Sequence, residues 1–396
     1  MGRAVATGCA LHGRDVRFPG TDDPVASHCH PMPMTQPTSP AGRAGATGAG
    51  AESAMPSSSS TALVLVNLGT PQAPTARAVR RYLRQFLSDR RVVDLPRVLW
   101  WPLLNGVILP LRAPRVARKY AAVWMAEGSP LAVLTRRLAQ AVQACVATPD
   151  AAPAPGAAAA APAVRVVHAM RYGAPSLREV LEQLRSAGVR RIAVIPLYPQ
   201  FSTTTTASVQ DVVAQAARDW AAAGDAPQLH TVEQYAEDAA WVAAIAESIR
   251  RHRAEHGNPA HTLFSFHGLP QRLADAGDPY PVQCLASARA VATQLGLADE
   301  AWSLTYQSRF GREKWLEPAT ADTLTALAQR GVRCVDVVAP GFAVDCLETL
   351  EEVAKELAAD FAQRGGTLRY IPCLNDDPGH ARALARIGLH ALDAAS

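Results

Sequence analysis

Hydrophobic positions along the chain alternate between two rhythms. Short, nearly unbroken apolar runs end in Gly, Pro or polar punctuation, and each is followed by a longer segment with apolar residues at helical spacing. Residues 61–67 set the type as a buried strand, Leu68-Gly69-Thr70-Pro71 breaks it, and a helix capped by Thr75 runs to Leu87. A helix ending near Val146 comes next. The unit then recurs as strand 164–170 with helix 176–187, strand 191–196 with a helix to about Ala222, and strand 229–233 with helix 238–253. Strand 262–266 precedes a helix to about Leu295, and strand 301–307 precedes a helix over 320–330. Strand 333–338, helix 345–363, a strand near 367–372 and a helix near 376–392 close the chain. The alternation predicts an α/β fold of two Rossmann-like lobes, each a doubly wound parallel sheet, with a cleft between them. Residues 61–200 are expected to form the first lobe and 201–396 the second, the last helix being free to pack back on the first.

Three stretches break the rhythm. Residues 1–60 are rich in Ala, Gly, Ser, Thr and Pro, lack the apolar core of a signal peptide, and read as a disordered extension. His28-Cys29-His30 within it reads as a chance cluster. Residues 147–163 read as an exposed Ala/Pro loop. Residues 91–130 carry an apolar run over 98–111, with Trp100 and Trp101 adjacent and Pro102, Asn105 and Pro110 interrupting it. That run is too short to span a bilayer. Two readings stand: a buried hydrophobic hairpin, or an exposed lip for a flat apolar ligand or a membrane surface.

Composition narrows the picture. With 396 residues, 48% of them hydrophobic, the chain can bury a large core. The net charge of +4 is mild, and no basic block is interleaved with aromatics, which argues against nucleic acid. Basic residues gather at Arg77, Arg80, Arg81, Arg84, Arg90, Arg91 and Arg97, as a solvated helix face or as a patch for an anionic ligand or acidic membrane. The seven cysteines are scattered with no CxxC and no zinc spacing, so a disulfide framework or a cysteine-ligated cluster is not expected, and a reducing cytoplasmic setting is. Gly69 stands without a G-x-G-x-x-G, so a dinucleotide site is not indicated.

Candidate chemistry concentrates in two stretches. Leu263-Phe264-Ser265-Phe266-His267-Gly268-Leu269-Pro270 delivers His267 one residue past an apolar run, where the chain must turn. In residues 338–352, Asp345, Glu348 and Glu352 fall at i, i+3 and i+7 near a helix start and so are expected to share one face. Asn67, Arg171, Tyr198 and Gln307 also stand at predicted strand C-terminal ends, where ligands of such folds lie. An imidazole opposite carboxylates suits proton abstraction and the handling of a divalent metal.

With Asn67-Leu68-Gly69-Thr70-Pro71, Gly128-Ser129-Pro130, Arg171-Tyr172-Gly173, Tyr198-Pro199-Gln200, Asp278-Pro279-Tyr280-Pro281, Tyr306-Gln307-Ser308-Arg309, Trp315-Leu316 and Asp345-Cys346-Leu347-Glu348-Thr349-Leu350 in order around these stretches, the sequence resembles the ferrochelatases. The resemblance runs from about Leu63 to the last helix. It implies a porphyrin-binding cleft and insertion of Fe2+, a substrate, into protoporphyrin IX with release of two protons. It further implies His267 and Glu348 as catalytic and iron-binding residues, and Asp345, Glu352 and Glu356 as a metal or proton path. Leu68, Arg90, Arg91, Tyr120, Ser129, Arg171, Tyr172, Trp315 and Phe342 are the implied porphyrin contacts. Cys346 stands where many eukaryotic members have histidine, and Cys373 alone in the last fifty residues leads to the expectation of no [2Fe–2S] cluster and no required cofactor. The 98–111 lip implies peripheral contact with the inner face of a membrane, and the pathway implies transient contact with the preceding haem-synthesis enzyme. Coproporphyrin as substrate, cobalt or nickel insertion into a sirohydrochlorin-type ring, and a non-enzymatic metal or tetrapyrrole carrier are the alternatives.

Overall fold

The structure, a computed structural model, describes residues 60–147, 164–311 and 313–394. The expected extension, with His28-Cys29-His30, and nearly all of the Ala/Pro loop lie outside the described residues.

The chain begins with β1 (Thr61–Gly69), α1 (Ala76–Leu87) and a helical arm built of α2 (Arg97–Leu103), a π-helical turn (Leu104–Ile108) and α3 (Leu109–Val123). It continues through α4 (Pro130–Ala147), β2 (Val164–Tyr172), α5 (Leu177–Ser186), β3 (Arg191–Pro196), α6 (Thr206–Ala222), β4 (Gln228–Thr231) and α7 (Ala239–His256). Then follow β5 (His261–His267), the short α8 (Gln271–Asp275), α9 (Tyr280–Leu295), β6 (Trp302–Gln307), α10 (Thr320–Gln329) and β7 (Cys334–Val338). A π-helix (Glu348–Leu357) continuing into α11 (Ala358–Gln363), then β8 (Thr367–Ile371) and α12 (Pro378–Ala394), complete it.

Among the described residues eight strands form two four-stranded sheets, ordered β2-β1-β3-β4 and β6-β5-β7-β8, and each pairing between them is parallel. The central strands read as unbroken apolar runs because both faces are covered. Alternation divides their side chains between layers. Ala62, Val64 and Val66 face α5 and α6, whereas Leu63 and Leu65 join a core shared with Phe264 and Phe266 of the second sheet. That shared core holds residues of α4, α7, α9 and α12, so the lobes are fused through apolar packing. Leu263, Val335 and Val337 face the remaining layer, with Leu324 and Phe361.

Two expectations change, and the place left open for the last helix is decided. The first lobe does not end at residue 200, because β4 pairs with β3 from Arg191↔Gln228 to Val194↔Thr231 and extends the first sheet. The sheet boundary therefore falls between β4 and β5. The last helix, α12, packs back on the first sheet: a Cβ added at Gly388 would lie 2.8 Å from Leu63. Residues 345–363 are not one α-helix, since the segment from Glu348 to Leu357 is π-helical and Asp345 precedes it.

The arm of α2, the π-turn and α3 decides between the two readings of the apolar run. It is helical, with Pro102 and Pro114 inside helices and the π-turn between them where the regular ladder gives way. Trp100 turns inward, its indole N–H donating to the Leu87 carbonyl at 2.7 Å. Val98, Leu99, Trp101, Leu103, Val107 and Leu111 stay exposed, so the stretch is a lip. Among the described residues no helix is long and apolar enough to cross a membrane.

Candidate active site

β5 ends at His267, and the chain leaves the sheet there through Gly268. A side chain at Gly268 would meet the Gln307 carbonyl oxygen at 2.8 Å and the Trp315 ring at 3.2 Å, so only glycine allows the turn to pass so close. The turn brings the Gly268 carbonyl within 2.6 Å of Nδ1 of His267. A carbonyl only accepts, so Nδ1 carries the hydrogen and the neutral ring keeps its lone pair on Nε2. Phe342 stands beside the ring at 6.4 Å between centroids, and the Tyr280 hydroxyl donates to the His267 carbonyl at 3.0 Å.

The opposing carboxylates come from the π-helix. Gln307, paired with His267 in the sheet, holds its start: Nε2 donates to the Glu348 carbonyl at 3.0 Å while Oε1 accepts from Ser265 at 2.7 Å. The next residue, Ser308, adopts φ 66° and donates from both its backbone N–H, at 2.6 Å, and its hydroxyl, at 2.5 Å, to Glu352. Burial pushes the Glu352 carboxyl above the usual carboxylate range, with the Glu348 charge adding to that and the Ser308 bonds and His267 opposing it. Glu352 thus senses both His267 and Glu348.

The cleft around these groups has a volume of about 560 Å³. Leu68, Tyr82, Phe86, Tyr120 and Leu131 line one wall; His267, Phe310, Phe342, Glu348, Glu352 and Glu356 line the other parts. Its cations are Arg112, Lys119 and Arg309. Lys119 is engaged by Glu351 and Glu356 at 2.8 and 2.7 Å, and Arg309 by Asp322 at 2.6 Å. The Arg112 guanidinium lies 5.1 Å over the Phe310 ring, is lowered in pKa by its crowded surroundings, and among the described residues has no carboxylate partner.

The structure therefore brings together His267, Glu348, Glu352, Glu356, Leu68, Tyr120 and Phe342, while Ser129 lines a small cavity adjoining the cleft. Six other expected site residues lie elsewhere. Asp345 is 5% exposed and its oxygens accept from the Tyr370 hydroxyl at 2.6 Å, Asn375 at 2.8 Å and Thr349 at 3.0 Å, so it anchors the segment before the π-helix and faces away from the cleft. Arg171 is bound to Asp89 at 2.5 Å and to Ser208, and the Tyr172 hydroxyl donates to Asp89 at 2.8 Å. Arg91 is paired with Asp211 on the surface, and Arg90 is exposed outside the cleft. Trp315 is buried behind the wall, its indole N–H holding the Phe310 carbonyl at 3.0 Å. Cys346 reaches the cleft, and burial raises its thiol well above the ordinary range.

Sequence reasoning missed Arg112, Lys119, Phe310 and Tyr82. A basic run over 112–119 follows the lip in the sequence, but which of its residues turn inward depends on how α3 packs on α1.

An imidazole and a row of acidic side chains lining one cleft, beside the apolar and aromatic walls, suit a metal chelatase that works on a flat ring. The ferrochelatase family model matches residues 60–392. The ferrochelatase of Xylella fastidiosa (strain 9a5c) is 56% identical over 334 residues, covering 84% of this chain and 98% of that protein. That of Xanthomonas axonopodis pv. citri is 56% identical over 331 residues with the same coverage, and that of Azoarcus sp. (strain BH72) 50% identical over 331 residues, 83% of this chain and 87% of that protein. The chain belongs to the ferrochelatase family.

Proposed function

We propose that this chain inserts Fe2+ into protoporphyrin IX, with His267 as the principal proton acceptor and iron contact and Glu348 facing it as the second. The observation that carries the assignment is the Nδ1–Gly268 hydrogen bond, which fixes the tautomer and leaves the Nε2 lone pair for the substrate. Insertion removes two pyrrole protons and strips water from a hydrated ion. A neutral imidazole accepts a proton near neutrality, and a carboxylate offsets the charge of the arriving ion.

Glu352 suits the next step. Its raised pKa makes it a carboxyl that takes up a proton more readily than an exposed one, and it sits between Glu348 and the half-exposed Glu356 along the π-helix. Protons leaving the ring thus have an acidic route toward the mouth. Phe310, Phe342 and Leu68 grip the macrocycle, and holding it bent would expose nitrogen lone pairs at the expense of binding energy elsewhere. Arg112 replaces Arg90, Arg91 and Arg171 as the propionate partner, since those three are paired elsewhere or lie outside the cleft. With Lys119 and Arg309 held by carboxylates, one guanidinium without a carboxylate partner among the described residues supports a ring with two carboxylates over coproporphyrin, which has four. The exposed lip, flanked by Arg97, Arg112 and Arg115, supports peripheral seating on an acidic inner membrane face, where the preceding pathway enzyme could deliver porphyrin to the same mouth.

The test is anaerobic turnover of His267→Ala and Glu348→Gln with Fe2+ and protoporphyrin IX, with porphyrin binding measured alongside and coproporphyrin in parallel. Each variant is expected to bind porphyrin yet lose at least about a hundredfold in kcat, in line with removal of an acid–base group. Near wild-type turnover in either sinks the assignment, and stoichiometric binding without turnover by the unmodified protein makes it a carrier.

A further inference from the structure

Glu348 borders two spaces. One is the cleft; the other is a separate cavity behind the carboxylate of about 10 Å³, lined by Thr70, Tyr82, Tyr120, Ser129 and Cys346. We propose that Thr70, Tyr120 and Ser129 hold one buried water against the Glu348 carboxylate, and that this water aims Glu348 into the cleft. The inference rests on the reading of Glu348 as a contact for the inserted ion and adds the group that positions it.

Size comes first. A volume of about 10 Å³ corresponds to roughly one water-sized sphere and excludes a hydrated ion. Polarity decides what fills it. Thr70 Oγ1 is buried and makes no hydrogen bond at ordinary distance, although the Tyr120 phenol lies beside it, and a group in that state is costly unless something answers it. Ser129, 2% exposed, already accepts from the Ala132 N–H at 3.3 Å, so its own hydroxyl hydrogen is left to give. The Tyr120 phenol, raised far beyond neutrality by burial and by the Glu348 charge, stays protonated and can also give. A water needs two to four polar partners, and the residues around this cavity carry four hydroxyls, those of Thr70, Tyr82, Tyr120 and Ser129, and a carboxylate.

The remaining geometry explains why Glu348 needs such a partner. Its backbone is fixed by Gln307, but the neighbour of its carboxylate on the helix side is the Cys346 thiol, a weak donor. A water bridging to Thr70 would tie the carboxylate to the loop after β1, in the opposite lobe. Partners of this kind commonly set the orientation of a metal-contacting group, and their loss costs about 10–100-fold in activity or metal affinity.

A crystal structure of the unmodified protein at about 1.5 Å resolution tests the site directly. The expected result is one spherical peak at roughly 2.6–3.0 Å from Thr70 Oγ1 and from a Glu348 oxygen. A cavity without density overturns the proposal, as does a peak with metal-like distances near about 2.1 Å. Thr70→Val, whose methyl replaces the hydroxyl, should lose the peak and about tenfold in kcat with KM for porphyrin unchanged, whereas Thr70→Ser should keep both. Should Thr70→Val fold poorly, Ser129→Ala takes its place with the same expectation. A peak that disappears without any change in kcat overturns the positioning role. Failure of the Glu348 reading itself would show separately, as turnover by Glu348→Gln with the water still present.

Discussion

Replacing Arg112 and Arg171 by leucine, separately, should produce opposite effects. Arg112 stands at the cleft mouth over Phe310 without a carboxylate partner among the described residues. Its loss uncovers no buried charge, so the fold should be unchanged or slightly firmer. What it removes is a charge-assisted bond to a propionate, in general about 1.5–3 kcal/mol. At a partly solvated mouth the lower end applies, and KM for protoporphyrin IX should rise roughly tenfold with kcat near normal. Arg171 and Asp89 are 17% and 13% exposed in their side chains. Removing Arg171 leaves Asp89 buried with its bonds from Tyr172, Ser208 and the Arg91 N–H only, so the cost should be about 3 kcal/mol, the low end for a broken buried pair. Urea unfolding at fixed pH reads the stability side, and steady-state insertion with varied porphyrin reads the other. A raised KM in Arg171→Leu at full stability, or a destabilised Arg112→Leu with normal KM, would refute the division of roles drawn from the ion pairs.

Two further outcomes follow from buried groups. Asp345→Asn should lower stability by about 1–3 kcal/mol, because a carboxamide cannot accept from all of Tyr370, Asn375 and Thr349, while kcat of the folded protein falls far less than in Glu348→Gln; an equal loss of kcat at unchanged stability would return Asp345 to the proton path. His380 is pushed down to about 4 by burial, against the opposing Asn375 carbonyl bond and Asp377 charge. Between that value and about 6.5 the unfolded chain binds more protons than the folded one, so stability should rise with pH across this window, by about 3 kcal/mol in all. Urea midpoints of His380→Gln should show that part of the slope flattened, and an unchanged slope would sink the attribution.

Much of the architecture was legible in the residue pattern. The βα alternation came through because every central strand is covered on both faces, which leaves an unbroken apolar run bounded by Gly and Pro, and each helix carries an apolar stripe of its own. His267 was legible for a related reason: a polar residue closing an apolar run, followed by Gly268, must sit at a strand's C-terminal end. The lobe boundary was not: the strand over 229–233 was legible, but its pairing with β3, which assigns it to the first sheet, is not carried by any local pattern.

By itself the sequence determined that two parallel sheets would form and that His267 and Glu348 would stand at the ends of elements. Local patterning, through the periods of strand and helix, suffices for that. Only the tertiary structure decided which charges serve the cleft. Asp345 and Glu348 are three residues apart, yet one is spent on Tyr370 and Asn375 while the other lines the cleft with His267, because the π-helix starts at Glu348 and changes the face that α-helical spacing predicted. Arg171 and Arg112 differ likewise by what lies across from them, Asp89 for one and open cleft for the other. A side chain's partner comes from distant parts of the chain, and no local spacing encodes it.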